Sequence, residues 1–161
     1  EICACLVGSE MCIRDRNNFI KRWSFLLLYD TITLGADKMK KEKIKSSSDN
    51  LELEIAHIEP NSEIKGVVQI SHGMAEHKER YYDFMEYLKD NGYAAVIHDH
   101  RGHGASVKSK EDLGYFYTDN IDYIINDLYD VTKYIKKKYK NKKIYLYNSG
   151  NLPVCFFKLS Q

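Results

Sequence analysis

His72-Gly73-Met74-Ala75-Glu76-His77, then Arg80-Tyr81, then Asp99-His100-Arg101-Gly102-His103-Gly104-Ala105-Ser106 are the stretches that decide how this chain is read. The two main clusters each follow a short apolar run, Val67–Ile70 and Tyr93–Ile97. Short, partly β-branched runs of this kind suit parallel strands covered on both faces. Loops leaving the carboxyl ends of such strands carry the chemistry of an open α/β sheet. Between the clusters, Tyr81, Phe84, Met85 and Leu88 recur at i, i+3, i+4 and i+7, which places them on one helix face. Asn91-Gly92 stops that helix, because Gly adopts the left-handed conformation past a helix end without a Cβ clash.

The same reading extends outward on both sides. A second helix is expected over Asp119–Tyr139, with Ile121, Ile124, Ile125, Leu128, Val131, Thr132 and Ile135 as its buried stripe. Asp119 or Asn120 can cap its start, and Lys136–Lys138 complement the negative end of its dipole. Ile144–Tyr147 then forms a third parallel strand. Upstream, Glu42–Ser47 and Leu51–Ile58 flank the turn residues Ser48-Asp49-Asn50, and Leu51, Leu53 and Ile55 alternate with Glu52 and Glu54. That pattern predicts a β-hairpin. A hairpin followed by βαβαβ is an α/β fold with a mostly parallel sheet. A nucleotide-binding flavodoxin-like sheet is disfavoured, since no Gly-rich phosphate loop opens either helix.

Composition narrows the function classes. The 161-residue chain carries a net charge of +1, which disfavours nucleic acid as a partner. Lysine is dense over Lys38–Lys45 and Lys133–Lys143, and both runs are read as solvated basic faces. Five of the six histidines lie between His72 and His103, so a metal site is conceivable. None shows a helical His-Glu-x-x-His arrangement, and no metal or other cofactor is expected. No cysteine stands between Ile13 and Val154, as suits a reducing cytosol. Cytoplasmic location is therefore the expectation.

The ends differ from the middle. Residues 1–16 show no clean periodicity, and Phe19–Tyr29 is shorter than the roughly 18 apolar residues that span a membrane. Met39-Lys40-Lys41-Glu42-Lys43 reads as an amino terminus, so residues 1–38 are expected to be a non-native leader. Residues 39–147 are read as the amino-terminal half of a domain and 148–161 as an aberrant or truncated tail. On that reading Ile144–Tyr147 presents an unpaired apolar edge.

The paired motifs, in this order and at this spacing, resemble the α/β-hydrolase superfamily, and within it the monoacylglycerol lipase, lysophospholipase and serine aminopeptidase group. The resemblance covers about Lys43–Tyr147. It implies acyl transfer from a carboxylic ester of a lipid, which needs N–H donors aimed at the oxyanion that forms. By family position one donor is the Met74 N–H, in the loop after the third strand of the fold. Gly73 lets the backbone approach the substrate. His72, Glu76, His77, Arg80, Asp99 and Arg101 are expected to brace these loops rather than to act on substrate. The resemblance further implies a lipid ester substrate, peripheral membrane contact in the complete protein and no obligate protein partner.

The nucleophile is where this chain departs from the family. A Gly-x-Ser-x-Gly turn is expected after the last strand, and the chain reads Tyr147-Asn148-Ser149-Gly150-Asn151. Ser149 is the candidate nucleophile and the Gly150 N–H the second oxyanion donor; a frameshifted tail is the competing reading. The Asp and His that complete the family's triad come far downstream and have no counterpart here, so the chain is expected to be an inactive fragment. A peptidase or another ester hydrolase on the same fold, or a non-catalytic α/β binding module, remain as alternatives.

Overall fold

The computed structural model describes residues 2–3 and 39–149, which belong to one compact unit. Its strands are β1 (Ile2–Cys3), β2 (Lys40–Lys45), β3 (Glu52–Ile58), β4 (Gly66–Ser71), β5 (Tyr93–His98) and β6 (Ile144–Asn148). Among the described residues lie two α-helices, α1 (Tyr82–Asp90) and α2 (Asp122–Lys138), with 3-10 turns at Lys78–Tyr81, leading into α1, and at Lys110–Asp112, between β5 and α2. The strands form one sheet in the order β1-β6-β4-β5-β3-β2. β2 and β3 make the expected hairpin, with Lys43 opposite Glu54, and β3 runs antiparallel to β5. From β5 through β4 to β6 all pairing is parallel.

This order has a functional consequence. The chain leaves β4 through α1 to reach β5 on one side, then returns through α2 to β6 on the other. The direction of the crossovers thus reverses at β4, so the loop after β4 and the carboxyl end of β6 lie side by side at a topological switch point, where open α/β sheets bind ligands.

Alternation along the strands separates two apolar layers. Ile55, Val67, Ala94, Val96 and Ile144 pack with Val131 and Ile135 of α2 and with Tyr139 just past its end. Ala56, Ile58, Val68, Ile70, Ala95 and Ile97 pack with Met85 of α1, flanked by Tyr81, Phe84 and Leu88. Adjacent strand residues contribute to opposite layers, so the helices cover opposite faces of the sheet. The α1 stripe is the one its spacing predicts, and Gly92 follows the helix with φ of +88°.

Two local features differ from the sequence reading, at the start of α2 and at the outer edge of β6. α2 starts at Asp122, with the Asn120 side chain accepting the Asp122 N–H at 2.9 Å; Ile121 precedes the helix and is half exposed. Thr132 is buried as its place in the stripe predicts, and its hydroxyl donates to Gln69 Oε1 at 2.8 Å, pinning α2 to the middle of β4. The outer edge of β6 is not wholly open: β1 pairs with it in parallel, Ile2 beside Ile144 and Cys3 beside Tyr145. The expected leader thus contributes two backbone residues to the sheet.

Candidate active site

The loop after β4 is held from within and from the neighbouring loop. His72 is fully buried; its Nδ1–H donates to the Gly73 carbonyl at 2.8 Å and its Nε2 accepts the His100 N–H at 3.0 Å. His100 answers with Nε2–H on the His72 carbonyl at 3.0 Å. His72 Nε2 thus carries no proton, and burial pushes the pKa values of both rings below the usual imidazole range. His98 lies beside them, its ring at 4.7 Å from that of His100, and burial depresses it to about 3.

Glu76 closes the same loop. Its Oε2 accepts the Gly73 N–H at 2.9 Å and the Tyr81 hydroxyl at 2.5 Å. The Tyr81 hydrogen bond is the main reason the Glu76 carboxyl sits below its usual range. Burial, with Glu76 beside it, pushes the Tyr81 phenol up to about 12. Met74 is 69% exposed, and its N–H meets no acceptor among the described residues. Its carbonyl accepts His103 Nε2–H at 2.5 Å, which ties the loop to the second motif.

Asp99 organises that second motif. Its carboxylate accepts the Lys78 N–H at 2.8 Å, the Lys78 ammonium at 2.5 Å and the Ala105 N–H at 2.9 Å. Gly104, with φ of +48°, lies so close that a Cβ would fall 2.2 Å from Asp99 Oδ2. Burial alone would lower the Lys78 ammonium, but hydrogen bonds to Asp99, Glu79 and Glu54 outweigh it and hold it above its usual range. Arg101, fully buried, grips Asp127 of α2 through Nε at 2.6 Å and Nη2 at 3.0 Å. It also reaches Asp49 in the hairpin turn at 3.0 Å. Ser106 Oγ accepts the Glu54 N–H at 2.9 Å.

Ser149 stands at the end of β6, exposed, its N–H on the Ser71 carbonyl at 3.2 Å. Its hydroxyl reaches Glu76 Oε2 at 3.2 Å and contacts the Tyr81 hydroxyl. The structure thus brings His72, Gly73, Met74, Glu76 and Ser149 to one end of the sheet, with Asp99 and Arg101 beneath the adjoining loop. His77 and Arg80 flank this site at the surface. His77 Nδ1 pairs with Glu79 at 2.9 Å on the surface, and the exposed Arg80 comes only to 4.0 Å from Glu76. Gly150 lies outside the described residues.

Lys78, His103 and Asp127 are functional supports that sequence reasoning passed over. A lone lysine in a charged stretch and an aspartate on a helix look like solvent-facing residues. Only the opposite-charge partner at a distant position, Asp99 or Arg101, could have signalled burial. Among the described residues no group of His, Cys, Asp and Glu is arranged to hold a metal ion. No helix among them is long and apolar enough to cross a membrane.

Comparison with known proteins matches this geometry to a family. The family model for serine aminopeptidase, S33, matches residues 62–149. A monoglyceride lipase homolog of monkeypox virus is 36% identical over 64 residues, 38% of this chain and 23% of that protein. Protein K6 of vaccinia virus (strain Western Reserve) is 35% identical over 68 residues, 40% of this chain and 84% of that protein. Among solved structures, a carboxyl esterase from Bacillus coagulans superposes with a TM-score of 0.62 at 19% identity, covering 69% of this chain and 36% of that one. A soluble variant of monoglyceride lipase from Saccharomyces cerevisiae superposes with a TM-score of 0.55 at 22% identity, covering 74% of this chain and 37% of that one. The chain thus spans about a quarter of the viral lipase homolog and about a third of these solved structures. With the model spanning both motifs and ending on Ser149, the chain belongs to the serine aminopeptidase, S33, family of α/β hydrolases.

Proposed function

We propose that this chain is part of a serine hydrolase of lipid carboxylic esters, with a monoacylglycerol or a lysophospholipid as substrate. The observation that carries the reading is the meeting of Ser149 with the loop of Met74 at the switch point of the sheet. Ser149 is the nucleophile in this reading, and the Met74 and Gly150 N–H groups receive the oxyanion. His72, Gly73, Glu76 and the Lys78–Asp99 pair hold the donor in place. The viral and yeast relatives named for monoglyceride lipase favour a glycerol ester over a peptide.

The described residues supply no efficient base for Ser149. Its hydroxyl lies against Glu76, a carboxylate held below its usual pKa, and such a group is a poor acceptor for a serine proton. The chain by itself is therefore proposed to turn over esters at background rate. The test is hydrolysis of p-nitrophenyl butyrate and monooleoylglycerol by the chain and by Ser149→Ala. Equal, background rates are expected, and turnover abolished by Ser149→Ala would overturn the proposed inactivity. For the complete gene product, cleavage of monooleoylglycerol or lysophosphatidylcholine is expected, lost when the nucleophilic serine is replaced. Cleavage of alanine p-nitroanilide alone would assign a peptidase instead.

A further inference from the structure

α2 buries Leu128, Val131, Thr132, Ile135 and, just past its end, Tyr139, while Lys133, Lys136, Lys137 and Lys140 face solvent. Lys133, Lys136 and Lys137 are spaced i, i+3 and i+4, which makes one stripe along the outer face of the helix, and Lys140 follows just past its end. Lys143, also exposed, follows before β6. Cations in the last helical turn complement the helix dipole, which accounts for their presence at Lys136 and Lys137. It does not account for their pairing. Lys133 meets Asp130 at 3.0 Å, Lys138 meets Glu42 at 3.2 Å and Lys142 meets Glu63 at 3.2 Å. Among the described residues Lys136, Lys137, Lys140 and Lys143 meet no carboxylate. Like charges three or four residues apart on a helix repel, and among the described residues no carboxylate meets these four lysines to offset it.

We propose that this stripe is a docking surface for an anionic phospholipid bilayer. The stripe contains lysines and no arginine, so it lacks the planar fork that recognises a discrete phosphate. Hydrated point charges on long stems suit diffuse attraction to a fluid layer of anionic headgroups. Tyr129 opens the same face, partly exposed, with the Lys133 ammonium 4.5 Å from its ring centroid. A tyrosine so placed belongs at headgroup depth. Past the helix the surface continues into a shallow cavity whose lining includes Lys65, Lys142 and Lys143 and one carboxylate, Glu63, which Lys142 meets. The chain's net charge of +1 gives no general attraction to polyanions, so the cationic character is local. The stripe lies toward the start of β6, whereas Ser149 follows the end of that strand, so a docked bilayer leaves the candidate site uncovered. This inference does not depend on the assignment of Ser149.

The test is co-sedimentation of the chain with phosphatidylcholine vesicles that contain or lack phosphatidylglycerol. One variant combines Lys136→Gln, Lys137→Gln, Lys140→Gln and Lys143→Gln. A control with the same charge change combines Lys40→Gln, Lys41→Gln, Lys43→Gln and Lys45→Gln on β2. Each lysine near an anionic surface contributes about a fivefold factor in partitioning, so the stripe variant should lose on the order of several hundredfold. The control should lose less than about tenfold, and raising salt from about 0.15 M to about 0.5 M should release the parent. All substituted side chains are exposed, and unchanged circular dichroism verifies that each variant folds. Parent protein that ignores anionic vesicles, that binds those lacking phosphatidylglycerol equally, or that loses binding equally in both variants overturns the proposal. So does preferential binding to RNA or to an acidic protein.

Discussion

Arg101→Met removes the cation that Asp127 meets inside the protein. Both side chains are buried, at 0% and 1% exposure, and their pairing uses two hydrogen bonds of 2.6 and 3.0 Å. Burial pushes the Asp127 carboxyl above its usual pKa even with Arg101 in place, so desolvation outweighs the pairing for this group. Without Arg101 the carboxylate is uncompensated, a state that costs about 3–5 kcal/mol. Asp49, Arg101's other carboxylate partner, is partly exposed and regains water, so it adds little. The loss is a large share of the roughly 5–15 kcal/mol that holds a domain together. Arg101→Met with Asp127→Leu should recover most of it, because an apolar pair of similar volume replaces a buried ion pair at little cost. The pH response has a defined sign. In Arg101→Met the folded pKa of Asp127 exceeds the unfolded one, so the folded state binds the extra proton and the deficit shrinks as pH falls from about 7 to about 5. Urea unfolding followed by circular dichroism, read as the difference from the parent at each pH, measures all three effects. A loss below about 1 kcal/mol for Arg101→Met, or a double variant no more stable than the single, refutes this account of the pair.

Further tests address the loops and their histidines. Gly104→Ala should destabilise by about 1–3 kcal/mol, since it strains a positive φ and drives a methyl group into the Asp99 carboxylate. Gly114→Ala, with φ of +89° and open space around it, should lose only about 1 kcal/mol in the same urea assay. His72, His98 and His100 are all depressed below their unfolded pKa by burial, so the unfolded chain binds more protons. Stability should fall as pH drops from about 6.5 toward 4.5, by up to about 1.4 kcal/mol per pH unit for each histidine. His98→Leu should flatten that slope; an unchanged slope would remove His98 from the explanation. Glu76→Ala leaves the Gly73 N–H without its acceptor, and amide hydrogen exchange there should accelerate by about tenfold or more.

Periodicity made much of the fold legible without coordinates. Tyr81, Phe84, Met85 and Leu88 mark one face of α1, and the Leu51–Ile55 alternation marks the buried face of the hairpin, because side-chain direction repeats with local backbone geometry. Charge was not legible in the same way. Lys78 and Asp127 lie in segments that look solvated, yet each is buried against a partner 21 or 26 residues away. His77 and Arg80 stay at the surface, where they meet Glu79 and Glu76.

By itself the sequence determined the element order, the two helix faces and the motifs that place this chain among the α/β hydrolases. These depend on interactions within a few residues along the chain. Tertiary structure decided which charges are buried, how His72 and His100 interlock, and that Ser149 meets Glu76 rather than an imidazole. The crossing of the chain over β4 to reach β6 brings those groups together, and no local pattern encodes a contact made only when distant strands pair.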